Sequence, residues 1–250
     1  SSGGCQVKRQ HAEMVDKRSA ASPSRREMHR KLVVLVQVWG DSFFHFVNEG
    51  LHRLMQVYDL LLADPEIEVL TFTGPPFIRQ FFELLGIDSH RLVQHRRGFE
   101  YYADVLIVPA AIPCGRAAPK LTHVLRTRVS EIMLQHQQQQ HLAKAKEPSV
   151  LGSMPTTTYA AATMSADKPH ILMVNRIKGA QRHIVNFESL VAELQRRFPD
   201  ETFVPFLGEE LSVRQSISLF QGAKIIVAPH GMSVCVTMTI TVCEREPLTP

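Results

Sequence analysis

The chain has 250 residues, 44% of them apolar and 21% charged, and a net charge of +4 at pH 7. This is an ordinary globular composition with room for one large or two small domains, and the modest charge excess does not argue for nucleic acid. No apolar run approaches the roughly 18 residues of a membrane span, and Cys5, Cys114, Cys235 and Cys243 form no Cys-x-x-Cys pair of the zinc-ribbon or thioredoxin kind.

Residues 1–30 are polar and basic (Lys8, Arg9, Lys17, Arg18, Arg25, Arg26, Arg30) and read as a flexible linker or stem. The run 32–38, LVVLVQV, predicts a strand buried on both faces. After the loop Trp39-Gly40-Asp41-Ser42, a helical stripe runs through Phe44, Val47, Leu51, Leu54, Tyr58 and Leu61. A strand over 67–73 follows. Pro75-Pro76 then opens a helix over 77–85, with Gly86 as its C-terminal cap. Residues 104–108, DVLIV, predict a third buried strand and 119–134 a further helix. This β-α-β-α-β-α order points to a parallel sheet covered by helices, a lobe over 31–134.

Residues 135–168, with four consecutive glutamines and no sustained period, read as an insertion or interdomain linker. Alternation then resumes in a second lobe over 169–250. A strand over 170–174 leads through NRIKGAQRHIVN (175–186) to a helix that starts at Phe187, with Asn186 as N-cap. A strand over 202–207 precedes Ser212 and Gln215, a capping-box pair for a helix ending near Gly222. A strand over 224–228, KIIVA, runs directly into Pro229-His230-Gly231. Three loops therefore leave strand carboxyl ends, the ligand edge of an open α/β sheet. In the loop after the fourth predicted strand, Arg176, Lys178, Arg182 and His183 surround Gly179, a pattern open to two readings, a solvated basic loop or an anion site.

The set formed by Trp39…Phe44-His45-Phe46-Val47-Asn48-Glu49, Asn175-Arg176…Arg182-His183-Ile184-Val185-Asn186, Leu211-Ser212-Val213-Arg214-Gln215 and Ile225-Ile226-Val227-Ala228-Pro229-His230-Gly231 resembles glycosyltransferase family 61. That family includes xylan arabinosyl- and xylosyltransferases and protein O-linked N-acetylglucosaminyltransferases of the secretory pathway. The resemblance implies an α/β fold of two Rossmann-like lobes of GT-B type. It also implies a nucleotide-sugar donor, a UDP-sugar, bound mainly by the second lobe. Transfer of a hexosyl or pentosyl unit to a glycan or glycoprotein would then proceed with inversion, without a metal and without a cofactor beyond the donor. The implied setting is the Golgi or endoplasmic reticulum lumen, with membrane attachment through an anchor outside this chain. After His230-Gly231 the family continues with small residues and an Asn. Here 232–242 alternates apolar residues with Ser, Cys and Thr, and the second lobe is expected to be incomplete.

Transfer from a nucleoside diphosphate needs charge stabilisation on the leaving diphosphate and a base for the acceptor hydroxyl. Arginine suits the first task because its fork binds phosphate oxygens bidentately. The donor site is therefore assigned to Asn175, Arg176, Lys178, Arg182, His230 and Gly231, against the alternative of surface ion pairs and an ordinary turn. His45 and Glu49 stand one helical turn apart, with His52 nearly aligned. A His oriented by a carboxylate is a candidate general base, and the resemblance assigns the acceptor base to His45 or Glu49, with Asp41 as a further candidate. The alternative is an exposed ion pair beside the apolar stripe. Trp39 is open to two readings, stacking on a sugar or packing in the core. The rival function is a non-catalytic, truncated module that binds glycan or protein. A nicotinamide enzyme lacks support because no Gly-x-Gly-x-x-Gly follows a strand.

Overall fold

The computed structural model describes residues 25–113, 118–144, 169–178 and 182–229. The alternating stretch over 232–242 lies outside them, as do most of the polar stem and most of the insertion. The chain divides into two compact units, the first taking residues up to Pro75 together with Asp88–Ala118, the second taking Pro76–Ile87 and everything from Pro119 onward.

The first unit holds a parallel sheet of four strands: β1 (Arg25–Val34), β2 (Glu68–Thr71), β3 (Leu92–Gln94) and β4 (Phe99–Ile107), in the order β3-β2-β1-β4. The order reverses beside β1, so the carboxyl ends of β1 and β4 form a topological switch point, the usual ligand position of such sheets. β1 begins inside the stretch read as a stem. The polar residues there find partners on neighbouring strands: Arg25 and Arg26 lie over the rings of Phe99 and Tyr102 at 5.8 Å, and His29 Nδ1 pairs with Glu68 at 2.7 Å. Cross-strand pairs of this kind hold a ribbon that composition alone does not announce.

β1 also ends earlier than the apolar run, at Val34. The reason is Arg53, which is buried and donates through Nη2 to the carbonyls of Val34 (2.9 Å) and Pro109 (3.4 Å) and through Nη1 to those of Leu35 (3.2 Å) and Val36 (3.3 Å). Carbonyls at and just past the ends of two adjacent strands thus converge on one guanidinium. Burial lowers the Arg53 pKa, but an arginine starts so high that it stays charged. A hydrogen bond to a charged group contributes about 1.5–3 kcal/mol, and a buried carbonyl left without a partner costs a comparable amount.

Between β1 and β2 the predicted stripe is present, with Val47, Leu51, Leu54 and Leu61 fully buried. The helix that carries it is not uniform. α1 (Phe43–His45) runs into a π-helical turn (Phe46–Gly50), closed by Leu51 N–H donating to Phe46 O, and continues as α2 (Leu51–Met55). After a break at Gln56 and Val57 comes α3 (Tyr58–Ala63).

In the second unit, α4 (Pro76–Leu84) ends in a Schellman motif: Gly86 at φ +73° donates to Glu83 O, and Ile87 donates to Phe82 O. α5 (Pro119–Lys144) continues through the glutamine run that was read as a linker, because glutamine is a good helix former. Its Leu125, Val129 and Met133 recur at four-residue steps and are buried. Among the described residues, no helix is long and apolar enough to cross a membrane.

A parallel sheet of three strands follows: β5 (His170–Asn175), β6 (Phe203–Leu207) and β7 (Ala223–Val227), in the order β6-β5-β7. All six residues of β5 are buried, and they alternate between two cores. Leu172 and Val174 join Val204, Phe206, Leu219 and Phe220, which brings in α7 (Val213–Gly222). Ile171 and Met173 join Phe187, Leu190, Val191 and Leu194 of α6 (Phe187–Arg197). Helices therefore cover both faces, as a parallel sheet requires. Asn186 precedes α6, but its side chain makes no capping bond; its backbone oxygen accepts from Leu190 N–H. The Ser212–Gln215 capping box forms as read, and Gln80 of α4 accepts the N–H of Val213 at 2.7 Å.

Candidate active site

In the first unit, the chain leaving β1 turns sharply. Gly40 N–H donates to Gln37 O (3.1 Å) and Ser42 N–H to Trp39 O (2.9 Å). A Cβ on Gly40 would lie 2.9 Å from the Phe72 ring, so only glycine fits this close approach. Ser42 O then accepts from Phe46 N–H and starts the helix. The π-helical turn fits one extra residue into its turn and carries a cluster of polar side chains inward. Asn48, Glu49, His52 and Arg53 are all buried. π-helical turns recur at functional sites because they re-aim side chains that an α-helix would present elsewhere.

A buried carboxylate must be satisfied at both oxygens. Glu49 Oε1 receives His45 Nδ1 at 2.8 Å, and Oε2 receives Gln37 Nε2 at 3.2 Å. Gln37 Nε2 also reaches the backbone oxygen of His45 at 3.1 Å, and Asn48 Nδ2 donates to Phe44 O. The pair is thus not the exposed ion pair that was the alternative reading: Glu49 is 5% exposed. A carboxylate only accepts, so Nδ1 donates and the imidazole lone pair lies on Nε2. The His45 ring is edge-on to Phe44, and 18% of the side chain remains open to solvent. A base oriented by a buried carboxylate and still accessible can take a proton from a hydroxyl.

Asp41 stands exposed in the preceding turn and takes no part in the Gln37–Glu49–His45 network. His52 is fully buried. Desolvation lowers its pKa, with a bond to the Asn48 backbone acting the other way. Among the described residues, no group of three or more His, Cys, Asp or Glu is arranged to hold a metal ion. Gln37 was not singled out from the sequence. Its signal was there: it is the one polar residue of an otherwise apolar run, and a polar side chain in that setting must have a partner.

In the second unit, the basic loop leaves the carboxyl end of the central strand. β6 and β7 flank β5 on opposite sides, so this end is again a topological switch point. Asn175 is buried, and its amide closes the loop: Oδ1 accepts Ile184 N–H at 2.9 Å, and Nδ2 donates to Ile184 O at 3.2 Å. Arg176 is half-buried at the loop's start, and Lys178 is exposed. Arg182 is exposed on the returning limb at φ 63°, a left-handed conformation uncommon outside glycine. His183 is half-buried beside it. Gly179 lies outside the described residues. So do His230 and Gly231, which follow Pro229 just past the end of β7. Of the six residues assigned to the donor site, the structure describes Asn175, Arg176, Lys178 and Arg182, and it gathers them at one end of one strand.

The family model described as Glycosyltransferase 61 matches residues 43–241. The matched span opens at the start of α1 and includes the His45–Glu49 pair, the basic loop and both strands that flank it. Comparison with curated proteins finds no match.

Proposed function

The chain belongs to glycosyltransferase family 61, and on that premise we propose that it is an inverting, metal-independent transferase moving a sugar from a UDP-sugar to a glycan or glycoprotein. The observation that carries the proposal is the Gln37–Glu49–His45 network, in which a buried carboxylate orients a partly open imidazole. In this reading the fold is of GT-B type, with the first unit receiving the acceptor and the second the donor. His45 Nε2 takes the proton of the acceptor hydroxyl while Glu49 fixes the tautomer and stabilises the imidazolium. The acceptor oxygen forms a bond to the anomeric carbon from the face opposite the nucleotide, and the bond from that carbon to the diphosphate breaks. Inversion follows from that single displacement.

The leaving diphosphate gathers negative charge as the bond breaks. Arg176, Lys178 and Arg182 supply fixed positive charge at the end of β5, joined by His230 from the sequence that follows β7. Cations held there stabilise the transition state more than the ground state, which is what raises the rate. Asn175 serves by closing the loop rather than by donating to the ligand, since both ends of its amide are engaged with Ile184. On the same family premise the protein acts in the lumen of the Golgi or endoplasmic reticulum.

The test is Arg176→Ala. Thermal stabilisation by UDP reports binding to the native state, with the shift set by ligand concentration over Kd. The substitution is expected to weaken UDP about tenfold or more and to lower sugar transfer at least as much. Unchanged UDP stabilisation together with unchanged transfer would refute the donor assignment. Absence of any UDP effect on the unaltered protein would favour the non-catalytic reading.

A further inference from the structure

The chain's one tryptophan does not pack in the core. Trp39 is 59% exposed, although indole is among the side chains that gain most from burial. Its backbone adopts φ 61°, the left-handed region that a bulky residue enters only at a cost. Glycine would hold this conformation without strain. The turn therefore carries two unfavourable features, a largely exposed indole and a strained backbone.

The position of the turn gives both features a use. It lies at the carboxyl end of β1, beside the switch point, and it is bonded into the catalytic network at both ends. Gln37, whose backbone accepts from Gly40, is the residue whose side chain holds Glu49 and the His45 carbonyl. Ser42, whose N–H is held by Trp39 O, starts the helix that carries His45. Phe43, the first residue of that helix, is also more than one-third exposed. An aromatic rim thus stands a few residues from the base on both the strand side and the helix side.

We propose that Trp39 is the stacking platform of the acceptor subsite, holding one pyranose ring of the acceptor glycan so that its hydroxyl is presented to His45. A pyranose with equatorial hydroxyls turns a flat face of C–H groups to each side, and that face fits an indole. The ring edge leaves the hydroxyls free for polar groups such as the base. This inference rests on the transferase reading for its direction, but it has an independent readout, because the sole tryptophan makes indole emission a report on this one residue.

The experiment titrates the protein with xylotetraose and with cellotetraose while following that emission. In parallel, UDP stabilisation of the same samples is measured by thermal shift. A blue shift or quenching that saturates with either oligosaccharide is expected. By calorimetry, Trp39→Ala is expected to weaken the better probe about tenfold and Trp39→Phe only about two- to threefold, since a smaller ring keeps part of the stacking face. Trp39→Gly is expected to raise the melting temperature, because it relieves the left-handed strain, while losing the sugar as Trp39→Ala does.

The proposal is overturned if neither oligosaccharide alters the emission, or if Trp39→Ala binds both probes as the unaltered protein does. It is equally overturned if Trp39→Gly destabilises the protein and leaves sugar affinity intact, the signature of a tryptophan kept for packing. UDP stabilisation that persists alongside any of these results leaves the transferase reading standing while the subsite falls. A saturating sugar response without UDP binding does the reverse.

Discussion

Both sheets place their candidate groups at the same kind of position, beyond the carboxyl ends of parallel strands where the strand order reverses. They hold those groups in different ways. In the first unit the candidate pair sits on a helix and is held by its carboxylate: Glu49 is enclosed, both its oxygens are satisfied, and the π-helical turn that carries it is buried throughout. In the second unit the cationic groups stand on a loop that one buried amide, Asn175, closes at its base. The difference matches the two tasks proposed for them. A proton is transferred only over hydrogen-bond distance, so a base must be held within a few tenths of an ångström. A diphosphate is a diffuse, multiply charged group, and cations act on it over a wider range of positions than a base acts on a proton.

The largest expected effect lies in the first unit. Glu49→Gln keeps the size of the side chain but removes the charge that orients and stabilises His45. Transfer is expected to fall by about 10²–10⁴-fold, the usual span for general-base catalysis. UDP stabilisation should be unchanged, since the groups proposed to hold the donor belong to the other unit. If Glu49→Gln lowered nucleotide affinity instead, the division of labour between the two units would be wrong.

Next in size is the amide clamp. Asn175→Ala removes two hydrogen bonds to the Ile184 backbone and leaves that backbone to find other partners. About 1–3 kcal/mol of loop closure is at stake, enough to weaken UDP by about tenfold in a thermal-shift titration. The substitution should leave the first unit's base intact. A loop held by packing rather than by its clamp would show no change.

The smallest expected effect is a pH dependence confined to the first unit. Desolvation holds the buried His52 below its ordinary pKa of 6.5, and burial acts on His95 in the same direction. Above 6.5 both folded and unfolded chains are neutral at these positions. As pH falls through 6.5 the unfolded chain takes up protons that the folded chain refuses, so stability is lost on acidification. The melting temperature should drop between pH 7.5 and 5, by about 2–4 °C for each kcal/mol lost in a protein of this size. His52→Gln should flatten part of that slope in a melting series across pH.

Much of this arrangement was legible in residue order. The apolar stripe from Val47 to Leu61, the Gly86 cap, the Ser212–Gln215 capping box and the basic loop after a buried strand are all local patterns, and local patterns survive translation into structure. Other features were hidden because their cause is distant in sequence. β1 extends back to Arg25 because Phe99 and Tyr102 lie beside it, and it stops at Val34 because Arg53 takes the carbonyls that follow. β3 is three residues long with no alternation to detect, and it exists through its pairing with β2. Helix α4 groups with the second unit although its neighbours in sequence belong to the first.

The candidate residues divide the same way. Residue order alone was enough to pair His45 with Glu49, because a four-residue step on a helix brings two side chains together, and to put Arg176, Lys178 and Arg182 on one strand-end loop. It also carried the likeness to the family that the chain belongs to. Only the tertiary structure decided that Glu49 is enclosed and needs Gln37, that Asn175 closes its loop rather than facing outward, and that Trp39 is exposed. Burial and hydrogen-bond partnership are relations between segments far apart in the chain, and the free energy of a polar group depends on them more than on its neighbours in sequence.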